Sequence, residues 1–466
     1  MVLKIYNTMS RKLEEFKPMS GKKVKMFVCG LTVYDDAHVG HAKSYIGYDI
    51  IAKYLRYSGY DVKYLQNVTD IDDKIIQRAN EKKKKWSEIS EEFTNSYIDD
   101  MKALNVTAVD KYIKATDYVP QIIEQAEKLV KSGYAYESAG NVYFSIAKFK
   151  EYGKLSHRDP DEMLAMSRLE EDPYKREPFD FVIWKKSKPG EPVWDSPWGD
   201  GRPGWHIEDT AISVGNFGPQ YDIHGGGEDL IFPHHEAEIA IAEAYTGKKP
   251  FVKYWIHNAF ITVNGKKMSK SLKNFVTIKE ALARHSAKAL RFYFATTLFN
   301  KPIDYTDENV KNAPKELEKI QNTLDNLRFL LEKSGAVGSE GGIEIEKYRS
   351  KFIKAMDNNF NTADASAVVF EFVREINKLV SEKKLSSRKN IESALALFKE
   401  WGAILGVDFA PGKEQKAPAE VLTFVEAREE ARKKKDFKKS DELRSLIRTL
   451  GYTVTDTAQG PKVEKM

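Results

Sequence analysis

The stretch Cys29-Gly-Leu-Thr-Val-Tyr-Asp-Asp-Ala-His-Val-Gly-His41 constrains the fold more than any other part of the chain. An apolar run, Val24 to Val28, precedes it and reads as a strand. After it, Tyr45, Ile46, Ile50, Ile51, Tyr54 and Leu55 recur on a helical period that Gly59 stops. A second apolar run, Tyr60 to Val68, follows. Strand, glycine-containing turn, helix and strand make a βαβ unit, whose ligand site falls where the first strand hands over to the helix. His38 and His41 stand at that handover, where free N–H groups and the helix dipole attract anions. Gly40 between them lets backbone approach a ligand closely. A phosphate site and a surface loop with two histidines both fit these residues.

The 466 residues amount to roughly three domains at about 150 residues each. With 41% hydrophobic and 12% aromatic residues the chain can bury a large core and is not disordered. A net charge of +5 permits a local nucleic-acid patch without arguing for one. One cysteine excludes an internal disulfide framework and fits a reducing cytosol. No early segment has the form of a signal peptide, and no run of about 18 apolar residues is present to span a bilayer. A soluble cytoplasmic protein is expected.

Residues 1–22 read as an opening strand, Val2 to Tyr6, and a polar loop. Thr69 and Asp70 follow the second strand of the βαβ unit, at the sheet edge where ligands bind, and are pocket candidates. Helix capping by the same acidic run explains the composition equally well. Residues 75–135 are expected to be helical, with Lys82 to Lys85 as a solvated face or a phosphate contact. From Asn141 to Val193, short strands and loops read as an insertion between two halves of a nucleotide-binding fold.

In the second half, the three glycines after His224 are expected to form a mobile loop against a planar ligand. Pro233 reads as the first residue of a helix, which puts His234 and Glu238 four apart on one face. That spacing suits either a shared metal or a hydrogen-bonded pair. Asn264-Gly265 is a turn signal. It leads into Lys266-Lys-Met-Ser-Lys-Ser271, a basic loop able to close over a polyphosphate, or an ordinary basic turn.

The pairing of His38-Val-Gly-His41 with Lys267-Met-Ser-Lys-Ser271 resembles the signature of class I aminoacyl-tRNA synthetases. The surrounding residues resemble the cysteinyl-tRNA synthetase family. These are Cys29-Gly-x-Thr-Val-Tyr34, Asn67-x-Thr-Asp-Ile-Asp-Asp73, Gly201-Arg-Pro-Gly-Trp-His-Ile-Glu208, His224-Gly-Gly-Gly-x-Asp229 and Phe232-Pro-His-His-Glu-x-Glu238. Ala289-Leu-Arg291 and Asp456-Thr-Ala-Gln-Gly460 also match, so the resemblance runs over nearly the whole chain.

The resemblance implies an α/β fold: a class I Rossmann-type catalytic domain with an insertion, then an α-helical domain and a small C-terminal anticodon-binding domain. The expected bounds are 1–135 and 201–278 for the catalytic halves, 136–200 for the insertion, 279–333 for a stem-contact region, 345–408 for the helical domain and 419–466 for the anticodon domain. It implies a two-step reaction in which L-cysteine and Mg2+-ATP give cysteinyl-adenylate, and the acyl group then passes to cysteine tRNA. His38, His41, Lys267 and Lys270 take the catalytic positions. Gly40, Asp229, Ser269, Lys270 and Ser271 take the ATP positions, and Thr32, Thr69, Trp205 and His224 line the amino-acid pocket. The family reads cysteine through a tetrahedral zinc ion. Cys29, His234 and Glu238 match three of its ligands, and the fourth, a cysteine in the family, is Asp209 here. A carboxylate binds zinc, so a retained metal is favoured, with a harder ligand set.

Residues 419–466 carry the basic run Arg432-Lys-Lys-Lys435 with Lys438 and Lys439, phosphate contacts if the domain reads an anticodon. Family members carry a stacking tryptophan where Val463 stands here. Two alternatives remain: a paralogue ligating cysteine to an amino sugar, and a tRNA-binding protein without catalysis. A monomer is expected.

Overall fold

The computed structural model describes residues 2–158, 172–268, 274–333, 343–385, 387–409, 418–434, 436–457 and 460–465. The chain opens with a hairpin of β1 (Lys4–Asn7) and β2 (Lys12–Glu15), followed by β3 (Lys23–Thr32), α1 (Val39–Tyr57) and β4 (Asp61–Thr69). Next come α2 (Asp73–Lys82), α3 (Trp86–Ala103), β5 (Lys111–Lys114) and α4 (Val119–Lys131). β6 (Ala135–Ser138), β7 (Asn141–Phe144), β8 (Phe181–Lys186) and β9 (Gly201–Pro203) form an antiparallel sheet of their own. The chain then returns through α5 (Ile207–Phe217), β10 (Tyr221–Gly227), α6 (Glu236–Thr246) and β11 (Val252–Asn258).

The central sheet has the order β11-β10-β3-β4-β5, and every pair in it is parallel. Its chain reverses direction of spread at β3: α1 carries it to β4 on one side, whereas β10 lies on the other. Ligands bind at such a switch point, outside the carboxyl ends of the strands. α1 forms because its apolar residues fall on one stripe, and Ile46, Ile50, Ile51 and Leu55 are all buried. Burying each is worth about 1.5–3 kcal/mol. Against the sheet pack Ile122 and Leu129 of α4, Ile207 and Ile212 of α5, and Ile239 and Ile241 of α6, around Trp184 and Trp255.

β5 corrects the expectation that residues 75–135 are wholly helical. Lys111-Tyr-Ile-Lys114 pairs with Leu65 to Val68 as the sheet edge. Four residues are too few to show a period against helical flanks. The three glycines after His224 are also corrected from mobile loop to strand: Gly225, Gly226 and Gly227 sit in β10 opposite Ile256, His257 and Asn258. They are glycines because side chains fill the adjacent space. A Cβ on Gly225 would lie 2.4 Å from the Tyr48 ring, and one on Gly226 would lie 2.6 Å from the His235 ring.

Beyond the sheet, β12 (Ile261–Val263) and β13 (Lys266–Lys267) are joined by Asn264-Gly265. Both turn residues have positive φ, 52° and 71°, as a two-residue hairpin turn of the primed type requires. α7 (Ile278–Arg284), α8 (Ala287–Ala295) and β14 (Ile303–Tyr305) follow, with β14 parallel to β12. The remaining helices are α9 (Asp307–Lys333), α10 (Ile345–Met356), α11 (Thr362–Ser381), α12 (Arg388–Leu405), α13 (Ala419–Lys433) and α14 (Phe437–Thr449), with a final hairpin of β15 (Tyr452–Thr457) and β16 (Gly460–Lys465).

The chain divides into two compact units, one of Met1–Leu317, Arg349–Val368 and Trp401–Asp408, the other of Glu318–Tyr348, Val369–Glu400 and Phe409–Met466. In the first, Arg291 is buried and donates to Asp49 Oδ2 at 2.6 Å and to the carbonyl of Leu405 at 2.9 Å. In the second, Val421, Val425, Ile447, Tyr452 and Val454 form a small core. Val463 packs against it from β16, opposite Val454. Among the described residues no helix is long and apolar enough to cross a membrane.

Candidate active site and metal centre

His38 is the N-cap of α1. Its Nδ1 accepts from the backbone N–H groups of Gly40 at 3.1 Å and His41 at 3.3 Å. His41 Nδ1 in turn accepts from His38 N at 3.2 Å, which closes a capping box built from two imidazoles. A backbone N–H only donates, so each Nδ1 is the unprotonated nitrogen and each Nε2 carries the ring hydrogen. Burial, aided by His38, holds the His41 imidazolium well below the usual histidine range. Gly40 has a local reason beyond ligand approach: the His38 ring lies 2.9 Å from where its Cβ would stand.

The segment after the basic loop is stitched to this turn. Val39 N donates to the carbonyl of Val276 at 3.0 Å, and Ile278 N to that of Ala37 at 2.8 Å. Phe275 sets its ring edge-on to His38 at 5.1 Å. The described segment that follows the second signature motif is thus held against the first. Lys267 belongs to strand β13 opposite Thr262 rather than to the loop itself. Ser269, Lys270 and Ser271 lie outside the described residues. Asp229 is exposed in a short turn directly after β10, with its carboxylate folded over Gly227.

A second cluster forms where β3 and β10 end. β3 advances three residues, Val28 to Leu31, while β4 advances two, Gln66 to Val68, so a bulge of one residue falls at Cys29-Gly30. There Cys29 meets Asp209 from α5, at 3.0 Å from Sγ to Oδ2. His234 Nε2 lies 3.2 Å from Cys29 Sγ, 3.1 Å from Asp209 Oδ2 and 3.1 Å from Glu238 Oε1. Cys29, Asp209, His234 and Glu238 are each at most 7% exposed. His234 and Glu238 meet as their spacing predicts, although Pro233 does not open an α-helix: Ile231–His235 is an irregular turn before α6.

This donor set fits a divalent cation. Neither oxygen of Glu238 has a hydrogen-bond partner among the described residues, nor do the Nε2 atoms of His224 and His235. Buried polar atoms left bare are costly and call for an occupant. Burial first, then Asp209 and Glu238, pushes the Cys29 thiol up; burial first, then Asp209 and Glu208, does the same to Glu238. A cation would let both ionise.

His235 competes with Asp209 for the fourth position. The donor atoms of Cys29, His234, His235 and Glu238 all lie within 4.8 Å of one another. Bond lengths of about 2.0–2.3 Å put tetrahedral donors about 3.3–3.8 Å apart. Asp209 Oδ2, at 3.0 and 3.1 Å from two ligands, needs only a small spread to reach this. His235 Nε2 lies 3.9 Å from Glu238 Oε1, at the outer edge of this range, with its Nδ1 bonded to His257 at 2.8 Å. Asp209 and His235 are both placed to serve as a fourth donor.

The other expected pocket residues surround this cluster. Trp205 stacks on His234, with 4.8 Å between centroids and 10° between planes, and is 43% exposed. His224 is buried, bonded at Nδ1 to Tyr221 OH at 2.6 Å, with Nε2 3.6 Å from Glu238 Oε2. Thr32 and Thr69 face each other across the β3–β4 ladder. Asp70 is drawn away, accepting from Thr116 N at 2.9 Å, and Asp72 caps α2. Sequence reasoning gave no role to His206. It has φ +83° and places Nδ1 2.7 Å from His234 Nδ1, so it fixes the ring whose Nε2 faces Cys29, Asp209 and Glu238. No local pattern signals this.

Residues 15–315 match the model for the tRNA synthetases class I (C) catalytic domain, residues 351–410 the DALR domain, and residues 414–461 the cysteinyl-tRNA ligase anticodon binding domain. A cysteine–tRNA ligase of Thermococcus onnurineus is 44% identical over 469 residues, 99% of this chain and 98% of the relative. One from Dehalococcoides mccartyi is 45% identical over 464 residues, 98% of each. The structure of Mycobacterium tuberculosis methionyl-tRNA synthetase bound by methionyl-adenylate superposes with a TM-score of 0.63 at 16% identity, covering 87% of this chain and 94% of that one. That likeness is one of fold.

Proposed function

This chain belongs to the class I cysteine–tRNA ligase family, and on that premise we propose that it activates L-cysteine with Mg2+-ATP and transfers it to the 3′ end of cysteine tRNA. The observation that carries the reading is the convergence of Cys29, Asp209, His234 and Glu238, buried at the carboxyl edge of a parallel sheet beside the His38–His41 turn. These four residues would hold zinc. Bound zinc would supply a Lewis acid that prefers a thiolate to a serine hydroxyl.

The rest is positioning and electrostatics. His38 and His41, neutral with hydrogen on Nε2, donate to the phosphates of ATP at the N-terminus of α1. Lys267 and Lys270 neutralise the departing pyrophosphate. Gly40, Ser269 and Ser271 border the triphosphate, and Asp229 accepts from the ribose hydroxyls. Trp205, Thr69, Thr32 and His224 enclose the cysteine. The match at residues 414–461 favours tRNA over an amino sugar as acceptor. The intact imidazole capping box favours catalysis over tRNA binding alone. Val463, packed on its own domain core, offers no ring to stack on an anticodon base.

The test is cysteine-dependent ATP–pyrophosphate exchange without tRNA, followed by charging of cysteine tRNA, on protein of measured metal content. Exchange and charging with zinc bound support the reading. Absence of exchange sinks it.

A further inference from the structure

Asp209 has two oxygens, and a tetrahedral site has room for one. Resting on the metal reading above, we propose that Asn67 is the positioning residue that ties down one oxygen of the Asp209 carboxylate, so that the group enters the cluster through a single oxygen in a fixed orientation.

Asn67 is fully buried in β4, and its side-chain amide makes three contacts. Its Oδ1 accepts from Gly30 N at 2.5 Å. Its Nδ2 donates to Asp209 Oδ1 and, at 3.3 Å, to Thr69 Oγ1. The first contact fixes the other two. The Gly30 N–H only donates, so the amide oxygen must face it, and the NH2 group must face Asp209. Asp209 Oδ1 is therefore engaged, and Oδ2 alone is turned toward Cys29 Sγ at 3.0 Å and His234 Nε2 at 3.1 Å.

One amide thereby ties two ligands together. Gly30 adjoins Cys29 in the bulge, and it is glycine because a Cβ would stand 1.7 Å from the carbonyl oxygen of Asn67. Rotating the amide would cost the Gly30 bond; turning the carboxylate plane away would cost the bond between Asn67 and Asp209, so one oxygen stays on Asn67 and the other on Cys29 and His234. A thiolate at position 209 has a single donor atom, so there the amide would keep only its bonds to Gly30 and Thr69. Groups that orient metal ligands typically contribute about 10–100-fold to metal affinity.

The test measures zinc affinity of the full-length apoprotein by competition with a chromophoric chelator. Four proteins are compared: the parent, Asn67→Ala, Asp209→Cys and the double variant. The visible spectrum of cobalt(II) bound in place of zinc reports ligand geometry independently of catalysis. We expect Asn67→Ala to lower zinc affinity about 10–100-fold beside Asp209 and to leave it nearly unchanged in the Asp209→Cys background. Equal losses in both backgrounds would mean that Asn67 acts only through the Gly30 bulge, and would overturn the proposal, as would no loss in either. Zinc binding by Asp209→Cys but not by the parent would remove Asp209 as a ligand and overturn it too. If neither binds zinc, the metal reading itself fails. Should Asn67→Ala not fold, judged by its circular dichroism and melting, Asn67→Ser takes its place, with a hydroxyl left to accept from Gly30.

Discussion

His38 and His41 cap one another: each Nδ1 accepts the other's backbone N–H, at 3.3 and 3.2 Å, while the rings stack 3.6 Å apart. The same bonds that start α1 fix both Nε2–H vectors, so the donors proposed for phosphate are oriented by local folding.

Substituting His38 separates those roles. His38→Asn keeps a good N-cap but removes the Nε2–H. We expect ATP–pyrophosphate exchange to slow about 10²–10³-fold, the usual cost of one transition-state donor, with little change in melting temperature. His38→Ala should add a capping loss of about 1 kcal/mol. Exchange at parental rates in His38→Asn would remove His38 from the chemistry.

Asp209 and His235 make opposite predictions for metal content. Asp209→Ala should strip zinc during dialysis against a moderate chelator, and His235→Ala should retain it. Mass spectrometry of the dialysed proteins decides. The reverse pattern would move the fourth ligand to His235.

Arg291 and Asp49 form a buried ion pair at 2.6 Å, with Asp49 also accepting from the backbone N–H groups of Thr107 and Ala108 at 2.8 Å. Burial opposes the Asp49 carboxylate, but Arg291 and Lys53 outweigh it and hold it below the usual range. Removing one partner from such a pair costs about 3–5 kcal/mol. Arg291→Met should lower the urea midpoint accordingly, and adding Asp49→Asn should recover part of the loss. A shift too small to resolve would show the pair to be solvent-relaxed.

Asp100 in α3 is buried, its Oδ2 has no hydrogen-bond partner among the described residues, and burial pushes its pKa up to about 6. The folded state therefore holds this proton more tightly than the unfolded one. Its contribution is full below about pH 4 and lost as pH rises through about 6, which leaves a penalty of about 3 kcal/mol at neutral pH. Asp100→Asn should then be more stable than the parent at pH 8 and equal to it at pH 4, by urea denaturation. A gain that does not change with pH would refute the titration.

How far the sequence carried depends on the range of each interaction. Cys29 to Val68 was legible because strand, turn, capped helix and strand each leave a local pattern, and Asn264-Gly265 announced its hairpin through the positive φ it must adopt. His224 to Gly227 was misjudged for the converse reason. Three glycines read locally as freedom, whereas the Tyr48 and His235 rings take the space that side chains would need.

The site divides along the same line. By itself the sequence determined the βαβ unit, the His234–Glu238 pair and the family, since each rests on neighbours along the chain or on the order of motifs. Only the tertiary structure decided that Cys29 meets Asp209 across a bulge, that His206 holds His234, and that one amide at Asn67 orients a carboxylate from another element. Those contacts join residues far apart in the chain. Their geometry is set by how a twisted sheet brings strand ends and helix starts together, which no local period records.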